Sequence, residues 1–245
     1  MIAARFSECR GSVTGRPAAK GRGRTARLVR SAGAGGFTLL ETMMALVIVG
    51  VGVVAFVDAQ ASFTKSNSWS SHAATGMLLA NEVRELTRRM SRHDPVTGLT
   101  LATGAGGATS AVGWGREAGE TTVADLDDLD DLDNVVFGLG GTFAGPIDAF
   151  GEAVQEIGLD GNPALDQEGL PRTLEGWSQR VSVTKVDPYN FSLARAASYE
   201  QAASSQWPAV RINQFPVRVT VIVEYQGPYD TQASEVTRTT WVVPP

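Results

Sequence analysis

The sequence predicts an α+β chain: a long N-terminal α-helix, membrane-spanning in its first half, packed on a small antiparallel β-sheet. Three observations predict it. Residues 37–57 read FTLLETMMALVIVGVGVVAFV, an apolar run with a single charge, Glu41. The stretch from Asp58 to Arg92 has no proline and repeats apolar residues at helical spacing. The last third of the chain alternates β-branched and polar residues with period two.

The apolar run is long enough to cross a bilayer. At about 1.5 Å rise per residue it spans roughly 30 Å, the thickness of the hydrocarbon core. A secretory signal peptide is the rival reading. Its apolar region is shorter and ends in a small-residue cleavage site. Here the small residues Gly35 and Gly36 precede the run instead. Gly50 and Gly52 lie inside it. They read either as ordinary membrane-helix glycines that permit close packing or as a local soft point, since each weakens a helix by roughly 1 kcal/mol.

Beyond the run, Leu79, Val83, Leu86 and Met90 recur at spacings of four, three and four, one face of an α-helix. Glu82, Arg84, Glu85, Arg88 and Arg89 fall largely elsewhere around it. The prediction is one helix from about Phe37 to Arg92, ending at His93-Asp94-Pro95, because the residue before proline disfavours helix. Residues 37–57 are its transmembrane half and 58–93 its amphipathic half.

Residues 94–245 form the expected globular domain. From Val96 to about Gly176 the chain is rich in Gly, Ala, Thr and Asp. These loops are too long for a compact core and are expected to wrap its surface. Strands are expected at about 180–186, 214–225 and 236–243, where Val181 and Val183, then Val217, Val219, Val221 and Val223, then Trp241 and Val243 alternate with polar neighbours. Gln226-Gly-Pro-Tyr-Asp supplies a turn between the last two. A sheet with one apolar face needs a cover, and the amphipathic half of the helix is the natural one.

Charge divides the chain further. Residues 1–36 hold eight basic residues and one acid, Glu8. Removing these from the totals of 21 and 26 leaves 13 basic and 25 acidic residues, a net of −12 for the rest. A basic tail beside an apolar run points to retention on the cytoplasmic side by the positive-inside rule. The acidic body argues against direct nucleic-acid binding, and its tryptophans do not interleave with a basic patch. The only cysteine, Cys9, lies in the tail, so the body has no disulfide and no thiol nucleophile. With only His72 and His93, a hydrolytic triad has little to be built from, and no catalytic role is expected.

Two clusters carry chemistry. A carboxylate four residues into a spanning helix is costly and is a functional candidate by default. The acid run Asp125, Asp127, Asp128, Asp130, Asp131 and Asp133 packs six carboxylates beside Asn134. Such a run must be solvated or bound to a cation, and hard oxygen ligands suit Ca²⁺. The spacing does not fit an EF-hand, and the turn position lacks glycine. A solvated acidic loop is the expectation, with calcium the alternative; no other cofactor is expected. Gly138-Leu-Gly140-Gly141 lacks the lysine of a phosphate loop and reads as loop.

The sequence Gly36-Phe37-Thr38-Leu39-Leu40-Glu41, followed at once by the apolar helix, resembles the type IV prepilin motif Gly-Phe-Thr-Leu-Leu/Ile-Glu. More loosely, the segment Asp130-Asp131-Leu132-Asp133-Asn134, then Gly176-Trp177 and Val186-Asp187-Pro188, is similar to minor pilins and pseudopilins. The chain departs from the pattern in having its nearest upstream base at Arg30, not directly before Gly36. The resemblance implies a pilin-like fold and a leader, residues 1–36, cut after Gly36 by prepilin peptidase. Phe37 would become the mature, N-methylated terminus. Glu41 would pair with the terminal ammonium of a neighbouring subunit, since each charge alone is penalised in low dielectric. Implied partners are the peptidase, other pilin or pseudopilin subunits, the inner-membrane assembly platform and the lipid bilayer. The implied location is the bacterial inner membrane, single-pass, with the C-terminal domain periplasmic. The motif is shared by type IV pili, type II secretion pseudopili and DNA-uptake systems. The alternative is a membrane-anchored extracytoplasmic binding domain that is not assembled into a filament.

Overall fold

The computed structural model describes residues 38–245. Contacts divide the chain after Ala55, and the second compact unit runs from Phe56 to Pro245. The leader, with Gly36 and Phe37, lies outside the described residues.

One α-helix, α1, runs unbroken from Leu39 to Thr87, 49 residues, through Gly50 and Gly52. Thr38 starts it. Its Oγ1 accepts the Glu41 N–H at 3.3 Å and its carbonyl accepts the Thr42 N–H at 3.2 Å. The hydroxyl thereby satisfies one of the donors that a helix start leaves orphaned. In the first unit, beyond Glu41 and Thr42, the helix is apolar on every side, and Leu39, Met43, Val47 and Val51 are all exposed. It is long and apolar enough to cross a membrane.

In the second unit α1 buries Gly76, Leu79, Ala80, Val83 and Thr87, a narrow stripe at helical spacing. Gly76 is required by close approach, since an added Cβ would stand 2.9 Å from Val236 Cγ1. The helix stops at Thr87, short of the predicted Arg92. Its last turn tightens: the Thr87 hydroxyl donates to Arg84 O at 2.8 Å and the Arg89 N–H to Leu86 O at 3.1 Å. Such three-residue bonds close a helix end.

The cover for that stripe is an antiparallel sheet. Its strands are β3 (Val136–Gly138), β4 (Trp177–Asp187), β5 (Asn190–Ala194), β6 (Val217–Tyr225) and β7 (Ser234–Val243). The order is β3-β4-β6-β7, with β5 also paired to β4. A separate hairpin joins β1 (Thr100–Thr103) to β2 (Thr109–Val112). Val181 faces Val221 and Val183 faces Val219 across the central pair. On β6, Val217, Val219, Val221 and Val223 are fully buried while the residues between them are not. Period-two alternation thus gives the sheet its apolar face. Leu79, Ala80 and Val83 join those valines in one core.

The structure corrects the expectation that residues 96–176 wrap the surface. Leu126, Leu129, Leu132 and Val135 are buried in the same core, together with Phe137, Phe143 and Ile147. The first four recur every three residues around a 3-10 turn, Asp130–Leu132, where positions three apart eclipse on one side. A buried polar clasp ties this region to helix and sheet. Gln179 Oε1 accepts the Ile147 N–H at 2.7 Å, and Gln179 Nε2 donates to Leu79 O at 2.9 Å and Ile147 O at 3.0 Å. Gly138 ends β3 at φ +90°, where an added Cβ would strike Trp177 O at 2.4 Å, so the sequence Gly138–Gly141 serves chain reversal.

Candidate functional site

Glu41 is exposed at the first turn of α1, three residues after the capping Thr38. That is the third helical position, where a carboxylate complements the positive end of the helix dipole and suits a capping box. A helix-starting role therefore stands beside any intermolecular one.

The acid run separates into residues with different work. Asp125 is exposed and structural. Its Oδ2 accepts N–H bonds from Thr121 at 3.0 Å and Thr122 at 2.7 Å, and the Thr122 hydroxyl at 2.8 Å. The Thr122 hydroxyl bond leads in holding its carboxyl below the usual range. Asp133 Oδ1 accepts the Val183 N–H at 2.9 Å, pinning the run to β4. Neither joins a cluster. Asp127 is exposed, whereas Asp128, Asp130 and Asp131 are at most 1% exposed. The expectation of a solvated loop thus fails for Asp128, Asp130 and Asp131 and holds for Asp125 and Asp127. The leucines at every third position are driven into the core, and Asp128, Asp130 and Asp131 between them are carried inward.

Burial dominates the electrostatics. It is the largest cause raising Asp128 to about 8, and the adjoining Asp130 carboxylate adds to it. Asp128 Oδ1 still accepts the N–H groups of Asp130 at 2.9 Å and Asp131 at 3.1 Å. Burial also raises Asp130 to about 6. Its Oδ1 stands 3.2 Å from His93 Nδ1, and its Oδ2 accepts the Gly115 N–H at 3.3 Å. Desolvation, then Arg92, lower His93 to about 4, so at neutral pH the ring is uncharged and donates from Nδ1 to Asp130. Asp131 is raised to about 6, again by burial first and then by Asp128. Its Oδ2 accepts the N–H groups of Asp127 and Asp128, each at 3.2 Å.

Two groups of carboxylates meet at Asp131. One is Asp127, Asp128 and Asp131; the other is Glu117, Glu120 and Asp131, each with one oxygen per residue within 4.8 Å of the others. Sequence reading missed Glu117 and Glu120. Their only signal was a pair of acids three apart in an otherwise Gly-rich segment. Chemically, such a pair of groups can share protons or hold a hard cation. The buried Lys185, lowered to about 8 by desolvation, was missed too. Its Nζ donates to the carbonyls of Ala197 and Tyr199, and it lies 5.1 Å over the Phe215 ring. His72 packs against Tyr225 and Trp177, with ring centroids 4.3 and 5.8 Å away. The chain matches no family model, no curated protein and no solved structure.

Proposed function

We propose that the chain is a prepilin-type structural subunit, cleaved after Gly36 and assembled through its N-terminal helix into a type IV pilus or type II secretion pseudopilus as a minor subunit. The observation that carries this reading is α1 itself. A single capped helix of 49 residues begins directly after the Gly36-Phe37 motif, bears one carboxylate in its first turn, and ends on an antiparallel sheet. Its 49 residues exceed the roughly 20 needed to cross a bilayer. Its apolar first part suits lipid before assembly and the packed core of a filament after it.

In this reading the protein acts by assembly, not catalysis. The peptidase frees Phe37, the helix waits in the inner membrane with the body periplasmic, and the assembly platform moves it into the filament. Thr38 caps the helix, and the Glu41 carboxylate pairs with a neighbour's terminal ammonium.

N-terminal sequencing of the mature protein tests the proposal. Phe37 at the terminus is expected, and replacing Gly36 with a bulky residue should leave a slower-migrating precursor. A mature chain beginning at Met1 would refute processing and favour a membrane-anchored binding domain.

A further inference from the structure

The Glu117–Glu120 turn meets Asp131 in an arrangement its own hydrogen bonds do not satisfy. The turn is tight: the Glu117 N–H donates to Glu120 Oε2 at 2.8 Å, and the Glu120 N–H to Glu117 O at 3.4 Å. Both glutamates are therefore held close to one another. Asp131 is held from the other side. Its 3-10 turn is anchored by buried Leu129 and Leu132 and by the Leu129 N–H on Ser91 O at 2.8 Å.

Two oxygens in this cluster are buried without an N–H or hydroxyl donor, Asp131 Oδ1 and Glu117 Oε1. Asp131 is 0% exposed. Buried polar atoms are nearly always paired, so each unpaired one calls for a partner. No basic side chain supplies it, and Glu117 itself is pushed up to about 7, by burial first and then by Asp131, so a proton shared between these two carboxyls competes with a cation for the place. Among the described residues, no Lys, Arg or His makes an ion pair with Glu117, Glu120 or Asp131. The neighbouring Arg116 instead sits 5.5 Å over the Phe143 ring. Facing acceptors in a desolvated place repel unless something positive lies between them.

We propose that Glu117, Glu120 and Asp131 form a Ca²⁺ site that pins the Glu117–Glu120 turn to the core. The inference is independent of the filament reading. Oxygens on opposite sides of Ca²⁺ stand about 4.6–5.2 Å apart, twice the usual bond length, and Mg²⁺ takes a smaller shell. One oxygen from each of the three residues lies within 4.8 Å of the others. The second group is the weaker candidate, because Asp128 Oδ1 already accepts two N–H bonds and Asp131 Oδ2 two more. Three carboxylates on a partly exposed turn place the affinity in the class of extracellular modules, about 10⁻⁴–10⁻³ M.

The test is calorimetric titration of the full chain in detergent micelles with CaCl₂ at pH 7.5, after chelator treatment. Binding at about 10⁻⁴–10⁻³ M is expected. Glu120→Gln should weaken it at least about tenfold, which is the loss expected when a charged ligand becomes neutral. The double variant E117Q/E120Q should lose it. Asp125→Asn, whose carboxylate serves Thr121 and Thr122, should bind like the parent. In 10 mM CaCl₂ the parent should melt several degrees higher than in EDTA, through binding to the folded state alone. In EDTA the double variant should melt no lower than the parent, because removing facing charges relieves repulsion. Absence of heat and of any calcium-dependent melting shift in the parent would overturn the site and leave a shared proton as the resolution. Undiminished binding by E117Q/E120Q would overturn its location. If the double variant does not fold, Glu120→Gln alone decides by the same comparison.

Discussion

Replacing Gln179 with methionine isolates the polar clasp that joins helix, loop and sheet. Methionine has similar length and volume, so it fills the space while removing the amide. Three hydrogen bonds are lost, at 2.7, 2.9 and 3.0 Å, all in the core. Their worth is unequal. The Ile147 N–H loses its acceptor in a dry place, which costs about 1–3 kcal/mol. The carbonyls of Leu79 and Ile147 each lose a donor, at about 0.5–1.5 kcal/mol apiece. The total is about 2–6 kcal/mol, a large share of a typical domain's stability. Urea denaturation of the full chain in micelles, followed by tryptophan fluorescence, reads it as a lower midpoint at unchanged slope. Gln179→Glu should be at least as harmful, because it keeps the acceptor but loses both donors and brings a carboxyl into the core. A methionine variant within about 0.5 kcal/mol of the parent, the range of an ordinary surface change, would refute the clasp.

Other consequences are as direct. Asp128→Asn in EDTA should match the parent near pH 4 and be the more stable protein at pH 9. The folded pKa of Asp128 is raised to about 8, so its stabilising contribution is present below the unfolded value near 4 and is lost as pH rises through 8. Asparagine keeps the acceptor for the Asp130 and Asp131 N–H groups without a charge; equal urea midpoints at pH 9 would contradict the buried carboxyl. Glu41→Val should still insert and be cut but enter filaments poorly, as measured by the sheared fraction, and Glu41→Gln should share that defect. Normal incorporation of the glutamine variant would refute the charge pair.

The elements with a clear period were legible in the sequence. Leu79 and Val83 announce the helix stripe, and Val217 to Val223 announce the buried face of β6. The segment Leu126–Val135 was not legible, because a period of three belongs to neither template and the intervening aspartates mask it. The strand β3 is only three residues long, and β1 and β2, apart from Leu101 and Val112, are built from Thr, Ser and Ala, which carry no apolar alternation. Gln179 escaped notice because the alternation begins visibly only at Val181, whereas β4 begins at Trp177. The acid run was visible as charge, but its division into capping, buried and clustered carboxylates depends on which loop returns beside it. Glu117 and Asp131 come together only once the leucines fix the depth of the turn.

The stripe on α1 rests against strands that the ribosome makes much later. Leu79 and its clasp residue Gln179 are separated by 100 positions. At about 5–20 residues per second, elongation leaves the stripe without Gln179 for roughly 5–20 s, and without β6 and β7 for longer still. During that interval Leu79 and Val83 are a short apolar strip on a helix whose upper part is already suited to lipid. The order of synthesis therefore makes the last strands, β6 and β7, the step that ends this exposure. A chain stopped before β6 would keep its helix but never cover it, leaving an apolar face open to aggregation.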